Sequence, residues 1–216
     1  MKEIFNEYKK LFTQRCKYIP LLEIGEDSIR YDFFAALTKV ENLKNYEIVL
    51  ESSIDKKSYI PRNNMDSYRK ENPKMDLVVD KLNICVEFGL FRQNSNEDGT
   101  INKPQRLIKT LKDMIRLGLE SYHKKRKAYF VCVADSKMLG HQLRTKLLGK
   151  FPSNYTITQD LINRLYEKKT SGFDERFIHK MNELNLSFDA DIVFNEEIIA
   201  DKINFETRII IWEVKF

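Results

Sequence analysis

A chain of 216 residues that is 42 % hydrophobic, with 14 Phe and 10 Tyr, has material for one full core and is short for two, while 7 Gly and 5 Pro leave little for flexible linkers. That composition excludes a disordered tail, and the lack of any long unbroken apolar run speaks against a signal peptide or a membrane span, so a cytoplasmic protein of one domain, residues 1–216, is expected. The net charge of +5 is unevenly placed: residues 102–150 hold thirteen Lys or Arg against Asp113, Glu120 and Asp135, which leaves the rest of the chain acidic and suits a polyanion-binding face opposite an acidic site.

Residues 2–16 have the pattern of an amphipathic helix. In GEDSIRYDFFAALTKV (25–40), Ile29, Phe33, Ala36, Leu37 and Val40 recur at helical spacing, which predicts a second helix with one buried face. YEIVLES (46–52) alternates as a strand does, and a polar loop leads from it to Pro73. PKMDLVVDKLNICVEFGLFRQN (73–94) then reads as two apolar strands about a short turn. In the second of these, Cys85, Glu87, Gly89 and Phe91 share one face, and Ile84, Val86, Phe88 and Leu90 the other. A carboxylate at 87 among such neighbours is costly to bury alone and calls for a metal or a cation.

Beyond the polar connection NSNEDGTINKP (94–104), residues 104–122 place Leu107, Leu111, Met114 or Ile115, Gly118 and Tyr122 on one side of a helix, with Pro104 in its first turn. KAYFVCVAD (127–135) is a nearly continuous apolar run, as expected of a strand covered on both faces. Strand, helix, strand in that order implies a crossover and parallel pairing of the strands that carry Glu87 and Val131. Helices are expected over about 139–150 and 158–168, followed by a loop and two strands, LSFDADIVF and ETRIIIWEVKF. Cys16, Cys85 and Cys132 cannot all pair and form no CxxC, so they read as buried thiols. His123, His141 and His179 stand at no metal-binding spacing from one another.

Hydrolysis of a phosphodiester needs a divalent cation to neutralise developing charge and activate water, and carboxylates supply the hard oxygens that Mg²⁺ prefers. Asp76 and Glu87, on neighbouring strands, are the candidates to hold one. The order of helix, strand, Asp-bearing strand, Glu-bearing strand, basic helix and buried strand, over about residues 25–140, resembles the core of the PD-(D/E)XK nuclease superfamily. It most resembles the prokaryotic branch whose third strand reads like EFK and is followed by a Pro-Gln helix.

The resemblance implies an α/β, restriction-endonuclease-like fold: a mixed central sheet flanked by helices, extended over about 141–216 by a helical segment and a β-hairpin. It makes Asp76 and Glu87 ligands of Mg²⁺ (or Mn²⁺), with the Phe88 carbonyl as a third, and Glu26 and Glu51 further acids of the site. Glu26 also heads the helical stripe that faces the core, although an acid at a helix start is stabilised by the dipole whatever its role, and Asp27 is the alternative cap. Glu51, which ends a strand, reads most simply as solvated surface.

Gly89 departs from the family pattern, standing where the E-x-K signature carries its lysine. Lys109, one turn beyond Gln105 on the basic helix, is the candidate replacement, with Gln105 beside it. Gln105, Lys109, Lys112 and Arg116 also form one polar stripe, which a solvated or phosphate-facing helix surface explains equally. Arg92 belongs to the other strand face unless the strand ends first.

WEVKF (212–216) offers a literal Glu213-x-Lys215 with Asp189 and Asp191 upstream. No helix and buried strand follow it, and charges along a terminal edge strand guard against aggregation, so a structural role is expected, with Lys215 reaching the hairpin acids as the exception kept open.

The expected function is a Mg²⁺-dependent nuclease, a hydrolase acting on nucleic acid, DNA in the first place, weakened by the missing lysine. Phosphates would meet Lys109, Lys112, Arg116, Lys124, Lys125, Arg126 and Lys127, although HKKRK (123–127) also reads as a helix end whose cations complement the dipole. The alternative is a catalytically silent binding or scaffolding module on the same fold. A homodimer is left open.

Overall fold

A computed structural model describes residues 1–61, 72–92, 101–167 and 174–216. The chain opens with two helices, α1 (Lys2–Tyr18) and α2 (Glu26–Glu41), followed by three strands, β1 (Val49–Ser53), β2 (Lys74–Val79) and β3 (Ile84–Phe91). Helix α3 (Lys103–Lys124) leads to β4 (Lys127–Asp135), and β5 (Tyr155–Ile157), α4 (Gln159–Glu167), α5 (Glu175–Glu183), β6 (Phe188–Glu197) and β7 (Thr207–Lys215) complete the described elements. The strands form one mixed seven-stranded sheet in the order β1-β2-β3-β4-β7-β6-β5. β3 and β4 pair in parallel, Glu87 opposite Phe130 and Phe88 opposite Val131, as the intervening helix implied.

The period-2 pattern of β3 sorts its side chains between two cores. Ile84, Val86, Phe88 and Leu90 pack with α1 and α2, whose stripe of Ile29, Phe33, Ala36 and Leu37 is buried against them. Cys85 and Phe91 face α3, α4 and α5 on the other side. Helix α3 starts where Asn102 Oδ1 accepts the Gln105 N–H at 3.2 Å, with Pro104 in its first turn. Its Gly118 lets it sit close to β6: a Cβ there would be 2.5 Å from the Phe188 ring. The three cysteines are free and buried. Among the described residues no helix is long and apolar enough to cross a membrane.

The C-terminal third departs from expectation in four places. No helix forms over 139–150. Gly140 (φ +73°) and Lys146 (φ +54°) are left-handed, and the Gly140 N–H to Phe151 carbonyl and Phe151 N–H to His141 carbonyl bonds, 2.6 and 2.8 Å, close the segment into a loop. Its apolar residues Leu143 and Leu148, five positions apart, are buried from that loop by tertiary packing. The second departure is α5, which occupies chain expected as loop: Asp174 caps it through the Arg176 N–H, and Phe177 and Met181, one turn apart, are buried. Third, the short strand β5 was not expected. Last, β7 is no edge strand, since β4 and β6 flank it on both sides. Much of the polar connection before Pro73, part of the one before Pro104, and Lys168 of the helix expected over 158–168 lie outside the described residues.

A carboxylate and cation cluster where beta2 and beta3 part

The candidate site forms where the sheet becomes irregular. The β2–β3 ladder runs from Val79 opposite Ile84 to Leu77 opposite Val86 and stops, one residue short of Asp76 and Glu87. The Phe88 N–H is taken up by Asp76 Oδ2 at 3.0 Å. On the other edge of β2, the β1 ladder skips the Glu51 and Asp76 positions, and Glu51 adopts φ +52°. A residue with a Cβ costs about 1–2 kcal/mol in that conformation. Met75 faces the α3 core while Leu77 faces the α2 core, so strict alternation breaks at Asp76.

The Asp76 and Glu87 carboxyl groups lie within hydrogen-bonding reach of each other, on the side of the sheet that faces α3. Glu87 is almost completely buried. Its carboxyl is lifted well above the usual carboxylate range, first by burial, with Arg116 pulling it down and the nearby Asp113 and Asp76 pushing it up. Asp113, buried on α3, is raised for the same leading reason.

Three cations are threaded among these acids. Arg30, one turn after Glu26 on α2, reaches Asp76 at 2.9 Å and Glu51 at 2.8 Å, with Asp27 at 3.7 Å on the rim. Lys109 places its ammonium 3.0 Å from the Phe88 carbonyl, 3.3 Å from Glu26 and 3.5 Å from Asp113. Arg116 lies 2.9 Å from Glu87 and 3.4 Å from Asp113, and also donates to the Lys74 carbonyl. Leaving Asp27 aside, five carboxyl groups (Glu26, Glu51, Asp76, Glu87, Asp113) face three cations, and burial favours the protonated form of two of them, Glu87 and Asp113.

The hard oxygens of Asp76, Glu87 and the Phe88 carbonyl fit a divalent ion of the Mg²⁺ class in donor type. The fit is to two side chains and a main-chain oxygen: among the described residues no group of three or more His, Cys, Asp or Glu is disposed to hold a metal. Each of those oxygen donors also has a cation or an N–H against it.

The structure thus brings Glu26, Glu51, Asp76, Glu87, Phe88, Lys109 and Arg116 together, and leaves the other sequence candidates elsewhere. Gln105 is exposed in the first turn of α3, one turn from Lys109. Arg92 lies just past the end of β3 and donates to the Ile24 carbonyl at 3.1 Å. At the far end of α3, about 22 Å along its axis from Lys109, Lys124 pairs with Asp55 at 2.6 Å, Lys125 lies over the Tyr122 and Phe216 rings, and Arg126 pairs with Glu120 and Asp80. Lys127 is exposed at the start of β4.

The terminal signature closes on itself. Lys215 pairs with Glu213 at 3.2 Å and Asp191 at 3.6 Å. Glu213 is directly opposite Tyr129 in the β4–β7 ladder, and the Tyr129 ring faces α1 and α2, so this group is on the opposite side of the sheet from Glu87.

Arg30 and Asp113 were not foreseen. Both carried a signal: Arg30 follows Glu26 by one helical turn, and Asp113 is the one acid between Lys103 and Leu119, spaced to meet both Lys109 and Arg116.

Position 89 is tight for any side chain. A Cβ on Gly89 would be 3.0 Å from ring atoms of both Phe91 and Phe130, which are packed in the α3 core. Gly89→Ala is therefore expected to lower the denaturant-derived stability by about 1–3 kcal/mol. Gly89→Lys should lose at least as much, because the same two rings must shift for its Cβ.

These features define an α/β protein with a seven-stranded mixed sheet and a charged cluster between that sheet and α3. Compared with known proteins, the chain matches no family model, no curated protein and no solved structure.

Proposed function

We propose that this chain is a nuclease of the PD-(D/E)XK type, with a restriction-endonuclease-like fold, that hydrolyses DNA with Mg²⁺ or Mn²⁺ and uses Lys109 in place of the lysine missing at position 89. The observation that carries this reading is the position of the Lys109 ammonium, on the Phe88 carbonyl and between Glu26 and Asp113. Burial pulls its pKa down, but Asp113 and Glu26 outweigh that and lift it, so Lys109 stays charged at neutral pH. A permanently charged ammonium stabilises an anionic transition state and is no general base. Asp76, Glu87 and the Phe88 carbonyl would hold the ion, which when bound supplies charge neutralisation and an activated water. Glu26 keeps Lys109 aimed at the carbonyl, and Arg30 orients Asp76.

One observation favours a second reading, a silent nucleic-acid-binding or scaffolding module. Arg116 on Glu87 and Arg30 on Asp76 already give both ligand carboxylates a cation of the chain's own. The two readings separate when plasmid and single-stranded DNA are incubated with Mn²⁺ or Mg²⁺ beside a Glu87→Gln control. The nuclease reading expects cleavage that is lost by about a hundred-fold or more in the control. It also expects calorimetric metal binding that strengthens as pH rises, since an ion must displace the proton that burial favours on Glu87. DNA binding with neither metal uptake nor cleavage overturns it in favour of the module.

A further inference from the structure

We propose that the cleft between α3 and α5 binds one phosphate-bearing nucleotide of an unpaired strand. Its purpose, presenting an ester to the Glu87 cluster, rests on the nuclease reading; its binding chemistry does not. The cleft encloses about 340 Å³ and is walled by Lys109, Lys112 and Arg116 from α3 and by Arg176, Phe177 and Ile178 from α5. That volume is at the small end of ligand clefts and admits one nucleotide, whereas a paired duplex is too broad to enter.

Four cations, Lys109, Lys112, Arg116 and Arg176, line the cleft beside Asp113 and Asp174. Lys109 and Arg116 are already paired with Glu26 and Glu87, and Arg176 with Asp174, which leaves Lys112 as the lining cation not ion-paired among the described residues. Lys109, Lys112 and Arg116 recur at helical spacing on one side of α3. The Arg116 and Arg176 guanidinium groups each lie 5.8 Å from the centre of the buried Phe177 ring, which fixes them against a common post. Arg176 is also gripped by Asp174 through contacts of 2.6 to 3.2 Å. Guanidinium groups held in place this way lose little freedom on meeting a planar or tetrahedral oxyanion, which suits phosphate recognition.

Two features point to an incoming anion. Lys112 has no ion-pair partner among the described residues, and Arg116 Nε is buried without a hydrogen-bond acceptor. A phosphate oxygen would meet the Lys112 ammonium, while Pro73, Ile115 and Ile178 offer an apolar wall to sugar and base. Arg116 joins this cleft to the carboxylates, since the same guanidinium is 2.9 Å from Glu87.

Fluorescence anisotropy in EDTA tests the site without any chemistry. The probes are a labelled ten-nucleotide single strand with and without a 5′-phosphate, and the same sequence as a blunt duplex, each titrated over a range of salt. The single strand is expected to bind about ten-fold more tightly than the duplex. In Lys112→Gln and in Arg176→Gln the slope of log affinity against log salt should fall by about 0.7 per lost phosphate contact. Lys112→Arg should restore it. Stronger binding of the phosphorylated strand assigns the cleft to a terminal monoester, and equal binding to an internal diester.

Equal affinity for strand and duplex, or unchanged salt slopes in both Gln variants with unaltered melting curves, overturns the proposal. Because metal is absent, failure here leaves the cleavage test of the nuclease reading standing. Failure of that reading likewise leaves the strand preference to be measured.

Discussion

Lys109→Met is expected to slow Mn²⁺-dependent DNA cleavage by about a hundred-fold or more, with the loss in kcat and little change in KM. Methionine keeps the length and apolar stem of the lysine and removes only its charge. The variant takes away the ammonium beside the Phe88 carbonyl and leaves Asp76 and Glu87 in place, so metal uptake by calorimetry should persist. Some stability is lost as well, because Glu26 and Asp113 each lose a cation at 3.3 and 3.5 Å. Single-turnover cleavage at saturating metal separates the two effects. A Lys109→Met protein that is less stable yet cleaves at the normal rate would assign Lys109 to holding α2 against α3 and remove it from the chemistry.

What the sequence made legible follows from what periodicity can report. Alternation told which face of β3 carries Glu87, and the Asn-Lys-Pro-Gln start of α3 and the unbroken apolar run of β4 were local signals of local structure. Together they fixed the parallel β3–β4 pair and the helix over it. Periodicity names a face and never the neighbour beyond it. Arg116 was legible as a cation on a polar stripe, but its partner Glu87 is 29 positions away in sequence, and only packing of α3 over β3 brings them to 2.9 Å. Gly89 likewise read as a missing charge, when the Phe130 ring on the neighbouring strand and Phe91 crowd any Cβ there to 3.0 Å. The loop at 139–150 misled for the same reason: Leu139, Leu143 and Leu147 are spaced as on a helix, yet the pair that is buried, Leu143 and Leu148, is brought in by a loop that Gly140 and Phe151 close.

Arg116→Met carries the largest expected cost in stability and also tests what the cluster is built to hold. Glu87 and Asp113 are buried with side-chain exposures of 3 and 8 %, and Arg116 is within ion-pair distance of both. Removing one partner from such a buried group costs about 3–5 kcal/mol, here because Glu87 is left without its cation while Asp113 keeps Lys109. Burial already raises both carboxyls above their ordinary values, and Arg116 opposes the rise in each, so its loss lifts them further. A carboxyl with a raised pKa binds its proton more tightly in the folded protein than in the unfolded chain. Its contribution to stability is therefore complete below the ordinary carboxylate range, about pH 4, and is lost as pH climbs through the raised value. The deficit of Arg116→Met against wild type should accordingly be greatest at pH 8 and shrink towards pH 5, as read by urea denaturation. Mg²⁺ supplies the missing positive charge by another route. If Asp76 and Glu87 hold the ion, millimolar Mg²⁺ should raise the melting temperature of Arg116→Met more than that of wild type at pH 8, because in the variant no guanidinium has to be displaced from Glu87. An Arg116→Met protein that recovers with acid and ignores Mg²⁺ would mark the cluster as a self-neutralised structural core, in which Arg116 occupies for good the place of a metal.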